Sequence, residues 1–397
     1  MDLHSDHPYW AVRSGLVNVY PPLDTDIRCD AAIVGGGVTG AILLNTLAAS
    51  GVSCVVVDRR DIGYGSTSAS TALLQYEIDT PLHELIGRVG KAHAERGYQL
   101  GVCAIQTLAS ISSGIDCGFA HRPSLLLAHN SSHLKQLECE FRARQSARLD
   151  VSWVGKRELD CTYGLRRPGA IRSAIAAELD PYRFTHGLML RNSRCGSSIF
   201  DRTTIRSYEE TKRGVILRSD RGPTITAKAV FFASGYETKE FFPRRIVQIK
   251  STYASISEPV ADLSWWGERA LLWETGEPYL YARTTSDGRM IVGGEDDNII
   301  PAAPRDRQLS RKESMLRRKF LALTGRRFEP AFRWAGPFGH TKDGLAYIGR
   351  HYAFPRAFFA LGFGGNGITF SAIAAGILRD LFLGTVNRDA AIFSFER

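Results

Sequence analysis

The sequence predicts an α/β fold in which a Rossmann-like dinucleotide-binding module is assembled from the start, the middle and the end of the chain. A second module is inserted between those parts in two pieces. Three observations carry this reading. Residues 29–58 run strand, glycine turn, helix, strand; residues 216–238 form a hairpin that enters another buried strand; residues 355–384 repeat strand, glycine turn, helix. The expected segments are 20–85, 156–245 and 330–397 for the nucleotide module, and 86–155 with 246–329 for the other.

Size and composition agree with this. At 397 residues the chain is long enough for a large core and for two domains. With 44% hydrophobic and 23% charged residues it has the balance of a soluble globular protein. The start, MDLHSDHPYW, lacks a basic stretch followed by an apolar run, and no apolar stretch reaches the ~18 residues a membrane span needs, so neither a signal peptide nor a span is expected. Seven scattered cysteines without a C-x-x-C pair suit a reducing, cytoplasmic setting and offer no metal site. The net charge of +9 is dispersed among short basic runs, without the finger, recognition-helix or aromatic-basic patterns of a nucleic-acid binder.

The first elements form the strongest signal. CDAAIV, 29–34, is apolar enough for a buried strand; AILLNTLAAS, 41–50, is rich in helix formers and stops at Gly51; VSCVVVD, 52–58, is a second buried strand of the parallel type. Between strand and helix, Gly35, Gly37 and Gly40 fit G-x-G-x-x-G: a tight turn, a close approach to pyrophosphate, and close helix-sheet packing. Val38 and Thr39 open the helix, whose free N–H groups and positive end suit phosphate. Asp58 ends the second strand roughly 20 residues beyond the turn, where a carboxylate accepts from a ribose diol and disfavours a 2′-phosphate. Arg59 and Arg60 follow it at the same edge. This pattern serves NAD and FAD alike.

Next comes GYGSTSAST, 63–71, where a helix would be expected in a nicotinamide fold. Ser66, Thr67, Ser70 and Thr71 either bond the phosphate and ribityl oxygens of an extended cofactor or form a serine-rich loop with a helix cap. Helical periodicity covers 81–114 and 132–146, with a strand at 122–130 between them. IFDRTTIRSY, 199–208, offers the backbone of Thr204 and Ile205 to an adenine edge. The buried strand around 230–233 ends at Ala233, Ser234 and Gly235, the carboxyl end at which open α/β sheets bind ligands.

A strand is predicted around 250–258, two strands with a turn over 279–297, and a basic amphipathic helix over 308–324. The alternation in YLYAR puts Tyr279, Tyr281 and Arg283 on one face. Near the end, LGFGGNGITF again fits G-x-G-x-x-G from Gly362 to Gly367, but no strand with a terminal acid follows it. Gly364, Gly365 and Gly367 then either permit tight packing or present a helix N-terminus, with the N–H groups of Asn366, Gly367 and Ile368, to developing negative charge.

Taken together, DAAIVGGGVTGA with Asp58, GSTSAST, AVFFASGYET, the segment from Trp334-Ala335-Gly336 through TKDGLAYIG, and LGFGGNGITFSAIAAG resemble the D-amino-acid-oxidase-like superfamily of FAD-dependent oxidoreductases. The resemblance lies near the superfamily's glycine oxidase, sarcosine oxidase and gamma-glutamylputrescine oxidase branches and spans about residues 29–384 in order. It implies an FAD-binding Rossmann-like domain and a second, α+β substrate domain with a mostly antiparallel sheet. It also implies FAD as cofactor, with Gly336 and the stretch Gly364–Thr369 against the flavin, and hydride removal from a carbon bonded to an amine nitrogen. O2 or another acceptor reoxidises the flavin in such enzymes. An alcohol or hydroxy-acid dehydrogenase and a noncatalytic flavin-containing subunit are the alternatives.

The chain departs from the resemblance at informative places. Pro337-Phe338-Gly339 stands where relatives carry a carboxylate-binding arginine, and Ile368-Thr369 where others carry a lysine. No cysteine occurs in 336–342, which implies noncovalent flavin. Arg283 is the substitute candidate for a substrate carboxylate, Tyr253 and Tyr281 for shaping the pocket or bonding substrate, and His340, or else Lys342, for reaching the site from its loop.

Overall fold

The computed structural model of the protein describes residues 2–242 and 246–397, with the side chains of 239–241 outside the description. The expected boundary at 245 therefore falls outside the described residues. Two sheets organise the rest.

In the first sheet, Ile27–Val34 runs parallel to Cys54–Val57 on one side and to Thr224–Phe232 on the other. Ser198–Phe200 and Phe354–Leu361 extend it in parallel on the two sides, and Tyr347–His351 adds an antiparallel edge beyond Phe354–Leu361. The order is Tyr347–His351, Phe354–Leu361, Thr224–Phe232, Ile27–Val34, Cys54–Val57, Ser198–Phe200, with an antiparallel hairpin, Ile205–Thr211 and Gly214–Ser219, joined to Thr224–Phe232. Cys54–Val57 is buried along its whole length, which is why its β-branched run shows no polar alternation. Helices Val38–Ala48, Pro181–Arg194 and Gly367–Leu383 pack together against this sheet, and the hydroxyls of Thr39 and Ser371 meet at 2.8 Å.

The second sheet has the order Pro330–His340, Gln248–Ser257, Met290–Asp297, Leu280–Thr284, Leu271–Glu274, Ala120–Leu127, Gly169–Glu178, Leu73–Gln75, with Val151–Gly155 also paired to Gly169–Glu178. Among the described residues only the pair Leu271–Glu274 and Ala120–Leu127 is parallel in this sheet. Helix Ala302–Thr324 covers its outer face, burying Leu316, Phe320 and Leu323 with Tyr253 and Val292.

Strand membership departs from the expected segments at three places. Leu73–Gln75, Gly169–Glu178 and Pro330–His340, all inside stretches assigned to the nucleotide module, pair in the second sheet. Each of these strands lies wholly in the second sheet, and local periodicity does not report which sheet a strand joins. The helical stretch 81–114 is likewise two helices, Leu82–Val89 and Lys91–Ser112, broken at Gly90 with φ 82°. Helix Pro181–Arg194 escaped the sequence reading although its start is well marked: the Asp180 side chain accepts from the N–H groups of Tyr182 and Arg183, and Pro181 follows it.

Candidate active site

A continuous cavity of about 850 Å³ runs between the two sheets, from the first glycine turn to the last. At one end Gly35 sits at φ 119°, and a Cβ there would lie 2.6 Å from the carbonyl carbon of Ala233. Gly37 is the N-cap of Val38–Ala48 and supplies no side-chain cap; Thr67 instead accepts the Val38 N–H at 2.9 Å. Gly40 lies behind the cavity wall, where its lack of a side chain lets the helix rest on the carbonyl of Gly35. Asp58 is fixed by the N–H groups of Gly36 (2.6 Å) and Arg60 (2.7 Å), and burial pushes its carboxyl up against the opposing pull of those bonds. Arg59 and Arg60 reach the rim and pair with Glu237.

Ser66, Thr67, Ser70 and Thr71 also line the cavity, as do Thr204, Ile205, Ala233, Ser234 and Gly235, of which Ala233 lies against the Gly35 turn. Toward the far end come Gly336, Gly364, Gly365, Asn366, Gly367 and Ile368. The last turn is tied down by residues that carry no motif. Gly364 donates its N–H to the Gly339 carbonyl (2.9 Å), Gly365 to Asp79 (2.9 Å), and the Asn366 amide to the Glu77 carbonyl. Helix Gly367–Leu383 then opens with no side-chain cap, so its first N–H groups face the cavity without intrahelical partners.

These features fit a long dinucleotide cofactor. Two helices open on one cavity with no N-cap side chain, and the glycine at one mouth stands where any Cβ would collide with backbone. A profile described as FAD dependent oxidoreductase (DAO) matches residues 30–381. The chain belongs to the DAO family of FAD-dependent oxidoreductases.

Among similar proteins of this family, glycine oxidase of Bacillus licheniformis is 26% identical over 93% of this chain and 97% of its own. Gamma-glutamylputrescine oxidoreductase of Escherichia coli strain K12 is 23% identical over 94% and 88%. A putative Rieske 2Fe-2S iron-sulfur protein of Bacillus subtilis, YhfW, is 22% identical over 98% of this chain and 75% of its own. The fold is that of glycine oxidase from Geobacillus kaustophilus, with a TM-score of 0.77 at 21% identity, covering 94% of this chain and 99% of that one. FAD is thus the family's cofactor, and among the described residues no helix is long and apolar enough to cross a membrane and no cluster of side chains suits a metal.

The second sheet supplies the opposite wall, and here the sequence candidates divide. Tyr281 lines the cavity beneath Gly293, and burial pushes its phenol up to about 12. His340 also lines it, edge-on to Phe338. Tyr253 does not: its hydroxyl donates to Asp297 (2.9 Å) and its ring lies under Lys312, on the sheet's outer face. The register decides this. Lys250, Thr252 and Ala254 pair with Phe338, Gly336 and Trp334, and all six line the cavity, so the intervening Tyr253 points away. Alternation along QIKSTYASIS separates Tyr253 from Thr252, but it does not say which set faces the cavity.

Arg283 shares the inner face with Tyr281, yet it never reaches the cavity. Its guanidinium lies 5.2 Å from the Trp10 ring and donates to the carbonyls of Thr71 (2.6 Å), Thr284 (3.0 Å) and Leu179 (2.9 Å), with Glu178 at 3.4 Å. The N-terminal helix Tyr9–Ser14, absent from the sequence reading, covers it. Replacing Arg283 with alanine should therefore cost about 3 kcal/mol of stability in a denaturant titration, while the affinity for a carboxylate-bearing substrate stays within about twofold. Thr369 is likewise committed elsewhere, donating to the Gln75 carbonyl at 3.0 Å. Lys250, Thr252, Tyr236, Tyr279 and Asp79 line the cavity and were not among the catalytic candidates.

Proposed function

We propose that the protein oxidises a carbon bonded to an amine nitrogen, in an amine or amino acid that includes N-substituted forms, and yields an imine. The observation that carries this is the single cavity joining the Gly35–Asp58 turn to the Gly364–Ile368 helix end beneath a wall of Tyr279, Tyr281, Phe338 and His340. Relatives named for glycine and for gamma-glutamylputrescine, both nitrogen compounds, support it.

When bound, FAD supplies a two-electron acceptor that takes the substrate hydride at its N5. The chain's own residues do the rest. Gly35, Gly37, Val38 and Thr39 receive the pyrophosphate at the helix end, Asp58 accepts from the adenosine ribose, and Thr204 and Ile205 edge the adenine. Ser66, Thr67, Ser70 and Thr71 lie along the middle of the cofactor. The open N-terminus of Gly367–Leu383 favours negative charge at the flavin end, which helps hydride acceptance. The tyrosines and Phe338 would exclude water and orient the reacting C–H toward its acceptor. No cysteine lies in 336–342, so noncovalent flavin fits, and O2 or another acceptor completes the cycle. All seven cysteines are free thiols, in keeping with a cytoplasmic setting.

The test is spectroscopic. The purified protein should show the visible absorption of oxidised flavin, released by heat, and should bleach under anaerobic conditions with amines. Colourless protein that FAD cannot reconstitute would remove the reading.

A further inference from the structure

The substrate half of the cavity contains a carboxylate that no family motif accounts for. Asp79 projects into it from the turn after Leu73–Gln75. Its Oδ2 accepts the Gly365 N–H at 2.9 Å and lies 3.7 Å from Nδ1 of His340. Among the described residues its Oδ1 accepts no hydrogen bond, and the side chain keeps 29% of its surface open to the cavity. Lys250, Glu277 and Asp296 lie within electrostatic reach of the pair, as do the phenols of Tyr236 and Tyr279, and Tyr281 lines the same cavity. Three carboxylates thus meet one lysine and one histidine, with Arg283 locked outside.

We propose that Asp79, backed by His340, is the subsite that binds the substrate's ammonium group and takes its proton before the C–H bond breaks. The inference rests on the amine reading. An alkylammonium has no lone pair with which to form C=N, so it cannot release hydride. R-CH2-NH3+ first gives one proton to the Asp79–His340 pair and becomes R-CH2-NH2. The neutral amine then loses hydride from carbon to the bound FAD, and the nitrogen lone pair forms the second C–N bond of the iminium. The proton held by the pair leaves to water.

Two electrostatic effects favour the transfer. Burial holds His340 below the usual imidazole range and Asp79 above the usual carboxyl range, so the proton affinities of the pair converge. Lys250 and the positive end of Gly367–Leu383 disfavour the ammonium form itself.

Asp79→Asn tests this, because asparagine keeps the shape and an acceptor for Gly365. Anaerobic bleaching is first measured with n-butylamine, benzylamine, N-methylbutylamine and glycine. Binding of tert-butylamine, which has no hydrogen on the carbon bearing nitrogen, is then compared with that of uncharged tert-butanol through the flavin spectrum. The variant should bind FAD normally, bind tert-butylamine at least about tenfold more weakly near neutral pH, and bind tert-butanol unchanged. Its bleaching rate should keep rising toward the amine's own pKa instead of levelling at lower pH. Equal loss for both ligands assigns Asp79 a purely structural role and overturns the proposal, as does a wild-type affinity for tert-butylamine or an unaltered pH profile. If no amine bleaches the wild-type flavin, the amine reading itself falls, and this inference with it.

Discussion

Gly40→Ala is expected to purify largely without FAD, its affinity for the cofactor reduced by at least about 100-fold, or about 2.8 kcal/mol. A Cβ at this position would fall well inside van der Waals contact with the Gly35 carbonyl oxygen, a backbone atom that no rotamer change can move. The helix Val38–Ala48 must then lift away from Ile27–Val34. That displacement carries the N–H groups at its start away from the site where the turn and the helix end converge. Gly35 cannot yield easily, since its own φ of 119° and its approach to Ala233 hold it in place. The ratio of visible to ultraviolet absorbance after purification and a titration with added FAD measure the loss. Circular dichroism should show the fold retained at lower thermal stability.

Arg144→Ala should destabilise the protein by about 3–5 kcal/mol at neutral pH, because it leaves buried carboxylates without their counter-charge. Arg144 is fully buried; it donates to Glu140 at 2.7 Å and to Glu77 at 3.3 Å. Burial alone would push the Glu140 carboxyl up, but Arg144, together with a bond from His83, overcomes this and holds it at about 2, against an ordinary value of 4.5. A carboxyl lowered in the folded state contributes stability above its unfolded pKa. The contribution is lost as pH falls from about 4.5 toward 2, so the gap between wild type and variant should close over that window. Denaturant midpoints taken across it provide the check. The effect should also reach the cofactor, since the Glu77 carbonyl holds the Asn366 amide at the last glycine turn.

Where the chain builds from neighbours in sequence, the structure was readable in advance. The turn Gly35–Gly40, the strand that ends at Asp58 and the helix after Gly367 each carry their own signal, because turn chemistry and periodicity are local. The second wall of the cavity was not readable in this way. Tyr253 and Thr252 differ by one residue and point to opposite sides, a phase fixed by pairing with Met290–Asp297 and Pro330–His340. Arg283 looked available because nothing local announces that Trp10 covers it. Asp79 went unnoticed because its role depends on Gly365 and His340, which lie far along the chain.

The proposed reaction of this cavity is the removal of hydride from a carbon attached to nitrogen. Anaerobic mixing of the flavin-loaded protein with matched amines, amino acids and hydroxy acids tests it most directly. Bleaching by at least one amine or amino acid, with its hydroxy counterpart inert, is the predicted result. Bleaching by the hydroxy compounds alone would contradict the account and assign the site to alcohol or hydroxy-acid oxidation.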